Sequence, residues 1–561
     1  MLSHKIAFKL FSVFGILIFL TVTVRLFDLQ VLQGKKYSDF VASQINSQLS
    51  VSENRGYIYD VNGNILAGNK TTASLYAFRK NIKNYNEFAK ELKRWGITLN
   101  SKTKNSLTKT DSFTWIARRI ELDKAEKMVK NIKGLEYFKE EARFYPQGSM
   151  LANVIGFTGI DNKGYSGIEY ALDKDLAGEK VTVESLRDSR GRLLLFDDKS
   201  DVLKADTEVY LTVSSRIQAA AEYLLRQGAE KFGAKDGSAV AIDIATGDIV
   251  LAASVKSFDP HNYSKYPKNS WKNHPFSYVY EPGSIFKTVA FSYLADSGRL
   301  NKSLLVDTSK RYVIGGYAYS DTKDYGVLSV DEIYTHSSNI GTAALMKNEK
   351  NEDFYSFLKK AGFGAKTGIY GIGEEGGVLK DAANWSKTSR TSIAIGYEVM
   401  VTPLQMARFY AAVANDGLML KPRIISKIVK DGSDTYPEYV EERIMSSETA
   451  QYILELMQKT VEDGTGVNAK TQLTKVAGKT GTASIYDNEA KAYSKKNYSA
   501  SFAGVFPAED PKIAMVVVYE SPKSSIYGGS TAANVFRQIA EFIAAEFRYI
   551  EPNLRVAYAD Q

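Results

Sequence analysis

Tyr280-Glu281-Pro282-Gly283-Ser284-Ile285-Phe286-Lys287 sets a hydroxyl three residues before an amine, just after a helix-starting Pro-Gly. On a helix, residues i and i+3 share a face, which brings the lysine ammonium within reach of the serine oxygen. A free serine hydroxyl is a poor nucleophile, and a desolvated, neutral lysine is one of the few groups able to take its proton. The spacing alone means little, because Ser101/Lys104, Ser106/Lys109, Ser320/Lys323 and Ser356/Lys359 repeat it. Its company downstream is what singles it out. Ser337-Ser338-Asn339 lies between a helix opened by the capping box Ser329-Val330-Asp331-Glu332 and a helical run starting at Ile340-Gly341-Thr342. Lys479-Thr480-Gly481-Thr482 follows Val476-Ala477-Gly478, on or beside a late strand. Single copies of these motifs also occur elsewhere: Lys366-Thr367-Gly368 sits in a glycine-rich loop, and Ser52-Glu53-Asn54 precedes any nucleophile. The ordered triple is what carries weight.

Composition narrows the chemistry. The chain has 561 residues, 44% hydrophobic and 24% charged, so two or more globular domains are expected. A net charge of +8 without a dense Lys/Arg block argues against nucleic acid as a partner. Cysteine is absent, which excludes disulfides, thiolate catalysis and cysteine-ligated zinc. The four histidines, His4, His261, His274 and His336, are too scattered to suggest a metal site, and a Ser-His-Asp hydrolase, though possible in principle, is poorly provided for. No metal and no cofactor is expected, and lysine is the favoured base.

Ile6 to Val24 is apolar except for Lys9, Ser12 and threonines. About 19 residues at ~1.5 Å rise span roughly 28 Å, enough for a bilayer core if Lys9 snorkels. Thr21-Val22-Thr23-Val24 lacks a small-x-small cleavage pattern, which favours a retained anchor over a signal peptide. Lys5 and Lys9 before it predict a cytoplasmic N-terminus and an exported remainder.

Beyond the anchor, Arg25 to about Leu49 reads as a continuing helix, and Arg55 to Leu66 as a strand, an Asn-Gly turn and a return strand. Helices are expected at Tyr85 to Lys93 and Leu122 to Ile132. A second domain starts near Thr207 with a strand over Val209 to Val213, a helix over Arg216 to Ala229, and a hairpin of Ala239 to Ile244 with Ile249 to Ala253. Helical patterns then dominate to about Lys459. Strands return at Leu473 to Val476, Ser499 to Phe506 and Ile513 to Tyr519, before a closing helix around Val535 to Phe547. This order predicts an antiparallel sheet closed by the two ends of the domain, with a helical block inserted.

The ordered motifs resemble those of the serine penicillin-recognising enzymes, and within them the class B penicillin-binding proteins. Arg55-Gly56-Tyr57-Ile58-Tyr59-Asp60-Val61-Asn62-Gly63 looks like the first pedestal motif of that class, departing from it at Val61, where the family often has arginine. Arg143-Phe144-Tyr145-Pro146-Gln147-Gly148 and Gly164-Tyr165-Ser166-Gly167-Ile168-Glu169 are similar to the second and third. These read as structural elements of the pedestal with no chemistry of their own. The resemblance implies an α/β multidomain protein. Its parts are a cytoplasmic tail (1–5), a transmembrane anchor (6–24), a mixed α+β, dimerisation-like pedestal (25–206), a β-lactamase-like transpeptidase domain of antiparallel sheet flanked by helices (207–551), and a C-terminal tail (552–561).

It also implies roles. Ser284 is the nucleophile toward the D-Ala-D-Ala bond of peptidoglycan stem peptides, and Lys287 its base, with a pKa lowered by burial and by Lys479. Ser337 relays a proton to the leaving D-alanine, and Asn339 holds substrate and Lys287. Lys479 supplies positive potential, Thr480 and Thr482 suit the substrate carboxylate, Gly481 permits close approach, and the N–H groups of Ser284 and Thr482 form an oxyanion hole. β-Lactams are the implied covalent inhibitors. Glu281-Pro282-Gly283-Ser284, Ser337-Ser338-Asn339-Ile340-Gly341 and Gly396-Tyr397-Glu398 resemble septal, cell-division transpeptidases. That implies an inner-membrane, single-pass enzyme with its catalytic domain outside the cytoplasm, partnered by a SEDS-family glycan polymerase and division-complex proteins. An elongation-specific transpeptidase, a carboxypeptidase or β-lactamase, a β-lactam sensor and a division-complex scaffold are the alternatives.

Overall fold

The computed structural model describes residues 2–38, 46–52, 54–109, 113–177, 180–187, 193–194 and 207–548. The expected tail at 552–561 lies outside them, as do residues 39–45 of the helix read from Arg25 to Leu49. The chain divides into two compact units.

The first unit comprises residues 1–54 and 177–205. Helix α1 (Leu2–Phe27) passes into a π turn at Asp28–Leu32. Its Phe8–Leu32 stretch is long and apolar enough to cross a membrane and is not buried in the protein. Ser12, Thr21 and Thr23 donate their hydroxyls to the carbonyls of Phe8, Leu17 and Phe19 one turn earlier, leaving no side-chain donor of theirs facing lipid. The expected continuation of this helix to Leu49 is not found. Asn46–Ser52 is a strand, paired antiparallel with Lys180–Arg187. Leu49 and Val51 alternate with polar residues at period two, and a distant partner strand lets that pattern prevail over the helical one.

The second unit comprises residues 55–176 and 206–561. Strands β1 (Tyr57–Tyr59) and β2 (Ile65–Phe78) flank the Asn62-Gly63 turn. Asp60 Oδ1 accepts the N–H groups of Asn62 and Asn64, holding that turn closed. Helices α2 (Tyr85–Arg94) and α3 (Leu122–Asn131) pack with strands β3 (Phe113–Glu121) and β4 (Leu135–Phe144) around Leu75, Phe88, Leu92 and Met128. A short helix α4 (Gly167–Ala171) carries Glu169 inward. Then come β5 (Thr207–Leu211), α5 (Ser215–Phe232), β6 (Asp236–Asp243) and β7 (Ile249–Ser254). The helical block includes α6 (Lys287–Asp296), a hairpin strand β8 (Tyr317–Tyr319), α7 (Val330–Thr335), α8 (Asn339–Met346) and α9 (Pro403–Ala414). Strand β9 (Ile425–Lys430) and helix α10 (Ser447–Glu462) precede the final strands β10 (Ala477–Asp487), β11 (Ala492–Phe506) and β12 (Ile513–Glu520), closed by α11 (Ala532–Glu546).

Two sheets organise this unit. A five-stranded antiparallel sheet runs β7-β6-β12-β11-β10, so early and late strands meet at its centre, as the order of elements predicts. Strand β10 lies at its edge. A seven-stranded sheet joins the pedestal strands to β5, which pairs parallel with β1 and antiparallel with β9. The strand expected over Leu473 to Val476 is instead a turn, with Leu473 N bonded to Thr471 Oγ1, and the strand begins at Ala477 and carries Lys479 to Thr482 itself.

Helix α7 shows how a local signal places a distant residue. Ser329 Oγ accepts the Glu332 N–H, and Glu332 Oε2 accepts the Ser329 N–H, the reciprocal box expected from the sequence. This fixes the start of the helix that delivers Ser337. Ser329→Ala is expected to cost about 1 kcal/mol of stability, read as a lower urea midpoint. An unchanged midpoint would mean the helix start is held by packing alone.

Candidate active site

Ser284 lies in a 3-10 turn, Gly283–Phe286, that runs directly into α6. The turn is held from behind. Gly283 has φ +57 and donates its N–H to the Gly396 carbonyl at 3.1 Å. A Cβ on Gly396 would sit 2.0 Å from the Gly283 carbonyl oxygen, so only glycine lets the two loops touch. Glu281 Oε1 adds two further bonds, from Glu398 N at 2.8 Å and Tyr493 OH at 2.9 Å. Ser284 itself is partly exposed, whereas Lys287 is completely buried.

The lysine makes three contacts. Nζ lies 2.6 Å from the Ser337 carbonyl, 2.7 Å from Asn339 Oδ1 and 3.3 Å from Ser337 Oγ. Asn339 Nδ2 donates to the Ser320 carbonyl at 3.1 Å, which fixes the amide with its oxygen toward the lysine. The expected direct bond from Lys287 to Ser284 is not among these contacts. Burial pushes the Lys287 amine down to about 7, with Asp321 opposing the shift.

A neutral amine has two N–H donors and one lone pair. Ser337 O and Asn339 Oδ1 can only accept, so they consume both donors and leave the lone pair free to receive a proton. That is the state a general base requires.

Lys479, on β10, is also fully buried, with Nζ 5.8 Å from the Tyr334 ring centroid. Burial first, and the Lys287 ammonium second, hold its amine well below the usual lysine range. Thr480 Oγ1 lies 2.7 Å from Thr465 Oγ1, and Thr482 Oγ1 accepts the Gly528 N–H at 3.1 Å. Gly481 is needed, because a Cβ there would lie 2.3 Å from Ser501 Oγ and 2.8 Å from the Pro282 carbonyl. Edge strand β10 thus abuts the Ser284 turn.

All eight residues singled out from the sequence fall into this one region, on the 3-10 turn, α6, the turn between α7 and α8, α8 and β10. Lys366-Thr367-Gly368 does not; its Thr367 and Gly368 N–H groups are occupied by the Glu374 carboxylate. Sequence reasoning missed Thr465 and Asp321, and it read Gly396 only as part of a resemblance, not as a contact of the Ser284 turn. Asp321 accepts Ser338 Oγ, Asn339 N and Ile340 N at 2.6, 2.5 and 3.2 Å. Neither Thr465 nor Asp321 stands at a motif spacing, and only the fold brings them in.

Residues 237–541 match the model of the penicillin binding protein transpeptidase domain, and 50–206 that of the penicillin-binding protein dimerisation domain. The chain is 30% identical over 542 residues to stage V sporulation protein D of Bacillus subtilis, covering 94% of this chain and 83% of that one. It is 29% identical over 500 residues to the peptidoglycan D,D-transpeptidase FtsI of Escherichia coli, covering 87% and 83%. Among solved structures, penicillin-binding protein 3 of Mycobacterium tuberculosis complexed with aztreonam superposes with a TM-score of 0.70 at 26% identity, over 90% of this chain and 98% of that one.

Proposed function

The chain belongs to the class B penicillin-binding proteins, as a peptidoglycan D,D-transpeptidase, and from that premise we propose a serine acyl-enzyme cycle that cross-links wall at the division septum. The observation that carries the cycle is the buried Lys287 amine, both of its donors consumed by Ser337 O and Asn339 Oδ1.

Ser284 Oγ attacks the carbonyl carbon of the penultimate D-alanine, and its proton passes to the Lys287 lone pair. The Ser284 and Thr482 N–H groups receive the developing oxyanion. As the C–N bond breaks, Ser337 Oγ relays the proton from Lys287 to the departing D-alanine nitrogen. The substrate carboxylate binds at Thr480 and Thr482, and its negative charge raises the proton affinity of Lys479, which is charged once substrate is seated. An amine of a neighbouring stem peptide then attacks the acyl carbon, Lys287 takes its proton, and Ser284 leaves with it. β-Lactams enter as D-Ala-D-Ala mimics and remain on Ser284.

The septal assignment rests on the Glu281-Pro282-Gly283-Ser284 and Ser337-Ser338-Asn339-Ile340-Gly341 resemblances and on similarity to FtsI. Similarity to stage V sporulation protein D favours a second reading, wall synthesis during spore formation. In either, Lys5 and Lys9 keep the N-terminus cytoplasmic and place the remainder outside. The pedestal spans 25–206 and the transpeptidase domain 207–551, and anchor and pedestal face a SEDS-family polymerase within the division complex.

The test is labelling of growing cells with a fluorescent penicillin, followed by mass spectrometry. The expected adduct is on the peptide containing Ser284, with fluorescence at midcell that Ser284→Ala abolishes. Label on another serine overturns the nucleophile, rapid hydrolysis of the label overturns transpeptidation in favour of a hydrolase, and signal confined to lateral wall or to sporulating cells overturns the septal role.

A further inference from the structure

Asp321 belongs to none of the motifs, yet it holds one of them in shape. It follows β8 by two residues and reaches across to the N-terminus of α8. Oδ2 accepts the Ser338 hydroxyl at 2.6 Å, and Oδ1 accepts the Asn339 and Ile340 N–H groups at 2.5 and 3.2 Å. Ser338 Oγ in turn accepts the Gly341 N–H at 2.8 Å, so the first turn of the helix is capped by a relay that ends on one carboxylate. The neighbouring Ser320 carbonyl fixes the Asn339 amide.

Ser337 needs such support. Its φ of +60 is a left-handed conformation that a non-glycine residue keeps only where its surroundings over-determine it. Because Ser337 adopts it, its carbonyl and the Asn339 side-chain oxygen both face Lys287 Nζ. The charges acting on that amine are the Asp321 carboxylate from this loop and Lys479 from β10. The phenols of Tyr334 on α7 and Tyr410 on α9 bond to Thr288 on the same helix, and burial keeps both neutral.

We propose that Asp321 is a positioning residue of the acylation step, holding the Ser337-Ser338-Asn339 turn against Lys287 and stabilising the protonated form of that lysine. This rests on the acyl-enzyme reading above. The carboxylate makes the lysine a stronger base than burial alone would leave it, which matters when the same group must later give its proton to a leaving amine.

The experiment is the rate of fluorescent-penicillin acylation from pH 5.5 to 9 on the full chain in detergent, for the parent, Asp321→Asn and Asp321→Ala. Asn keeps an acceptor for the two N–H groups and removes the charge, so the rising limb of the profile is expected to move to lower pH. Ala removes three hydrogen bonds, and its maximal rate is expected to fall roughly 10- to 100-fold through misplacement of the turn. Should Asp321→Ala fail to melt cooperatively, the Asp321→Asn profile decides. A limb unmoved in Asp321→Asn overturns the proposal while leaving the acyl-enzyme reading intact. A parent protein that is not acylated at Ser284 overturns that reading itself.

Discussion

Lys287→Ala is expected to slow acylation of Ser284 by about a thousandfold, within the range for removal of a positioned general base. The pH dependence follows from the same group. Burial brings the amine down to about 7, so the neutral, proton-accepting form grows as pH rises through 7. Acylation by the parent should therefore climb between about pH 6 and 8 and then level, while the residual rate of Lys287→Ala lacks that limb. Arginine at 287 separates base from scaffold. It can still donate toward Ser337 O and Asn339 Oδ1, but it stays protonated at every accessible pH. Lys287→Arg should be as slow as Lys287→Ala. If it retained more than about a tenth of the parent rate, the role of Lys287 would be to hold the Ser337-Ser338-Asn339 turn and the base would lie elsewhere.

The parts of this site legible in the sequence are those where chemistry demands one residue type. Ser284, Lys287, Ser337, Asn339 and Lys479 meet because each motif sits at the end of an element whose pattern is itself readable: the Pro-Gly turn, the capping box before α7, the late strand. Asp321 and Thr465 were not legible, nor was the part Gly396 plays behind the Ser284 turn. Any acceptor near the head of α8 could replace Asp321 as far as local pattern shows, and Gly396 matters only because Gly283, far away in sequence, comes to touch it. Errors in the fold have the same origin. Asn46–Ser52 has a weak period-two pattern next to a strong helical one, and its partner at Lys180–Arg187 is remote. Leu473 and Val476 look strand-like in the sequence, whereas pairing of β10 with β11 begins only at Ala477 opposite Val505.

The largest effect on stability is expected away from the chemistry, at Glu169. Two guanidiniums share its one carboxylate inside the pedestal. Arg55 Nε meets Oε2 and Arg143 Nε meets Oε1, each at 2.5 Å, and all three side chains are at most 1% exposed. Burial alone would lower the Arg55 pKa, but Glu169 chiefly, with Asp173, more than offsets this, so Arg55 stays charged. Arg55 also reaches the Glu169 carbonyl, and Arg143 the Gly56 carbonyl, tying α4 to the chain entering β1. Glu169→Ala leaves Arg143 without its carboxylate partner and Arg55 with Asp173 alone, both in a dry interior. Breaking one buried pair from a single side costs about 3–5 kcal/mol, and this residue serves two. A loss of at least that size is expected in the free energy of urea unfolding. Asp173→Ala is the control. Asp173 is 26% exposed and its Oδ1 accepts Arg55 Nη1 and the Gly164 N–H, both at 2.8 Å, so its removal leaves the two Glu169 ion pairs intact and should cost about 1–2 kcal/mol. Equal losses for the two variants would mean that Glu169 serves only as a capping acceptor for the chain around it. A clearly larger loss for Glu169→Ala would make Arg55, Arg143 and Glu169 one electrostatic unit, which explains why residues so far apart in sequence must all be charged.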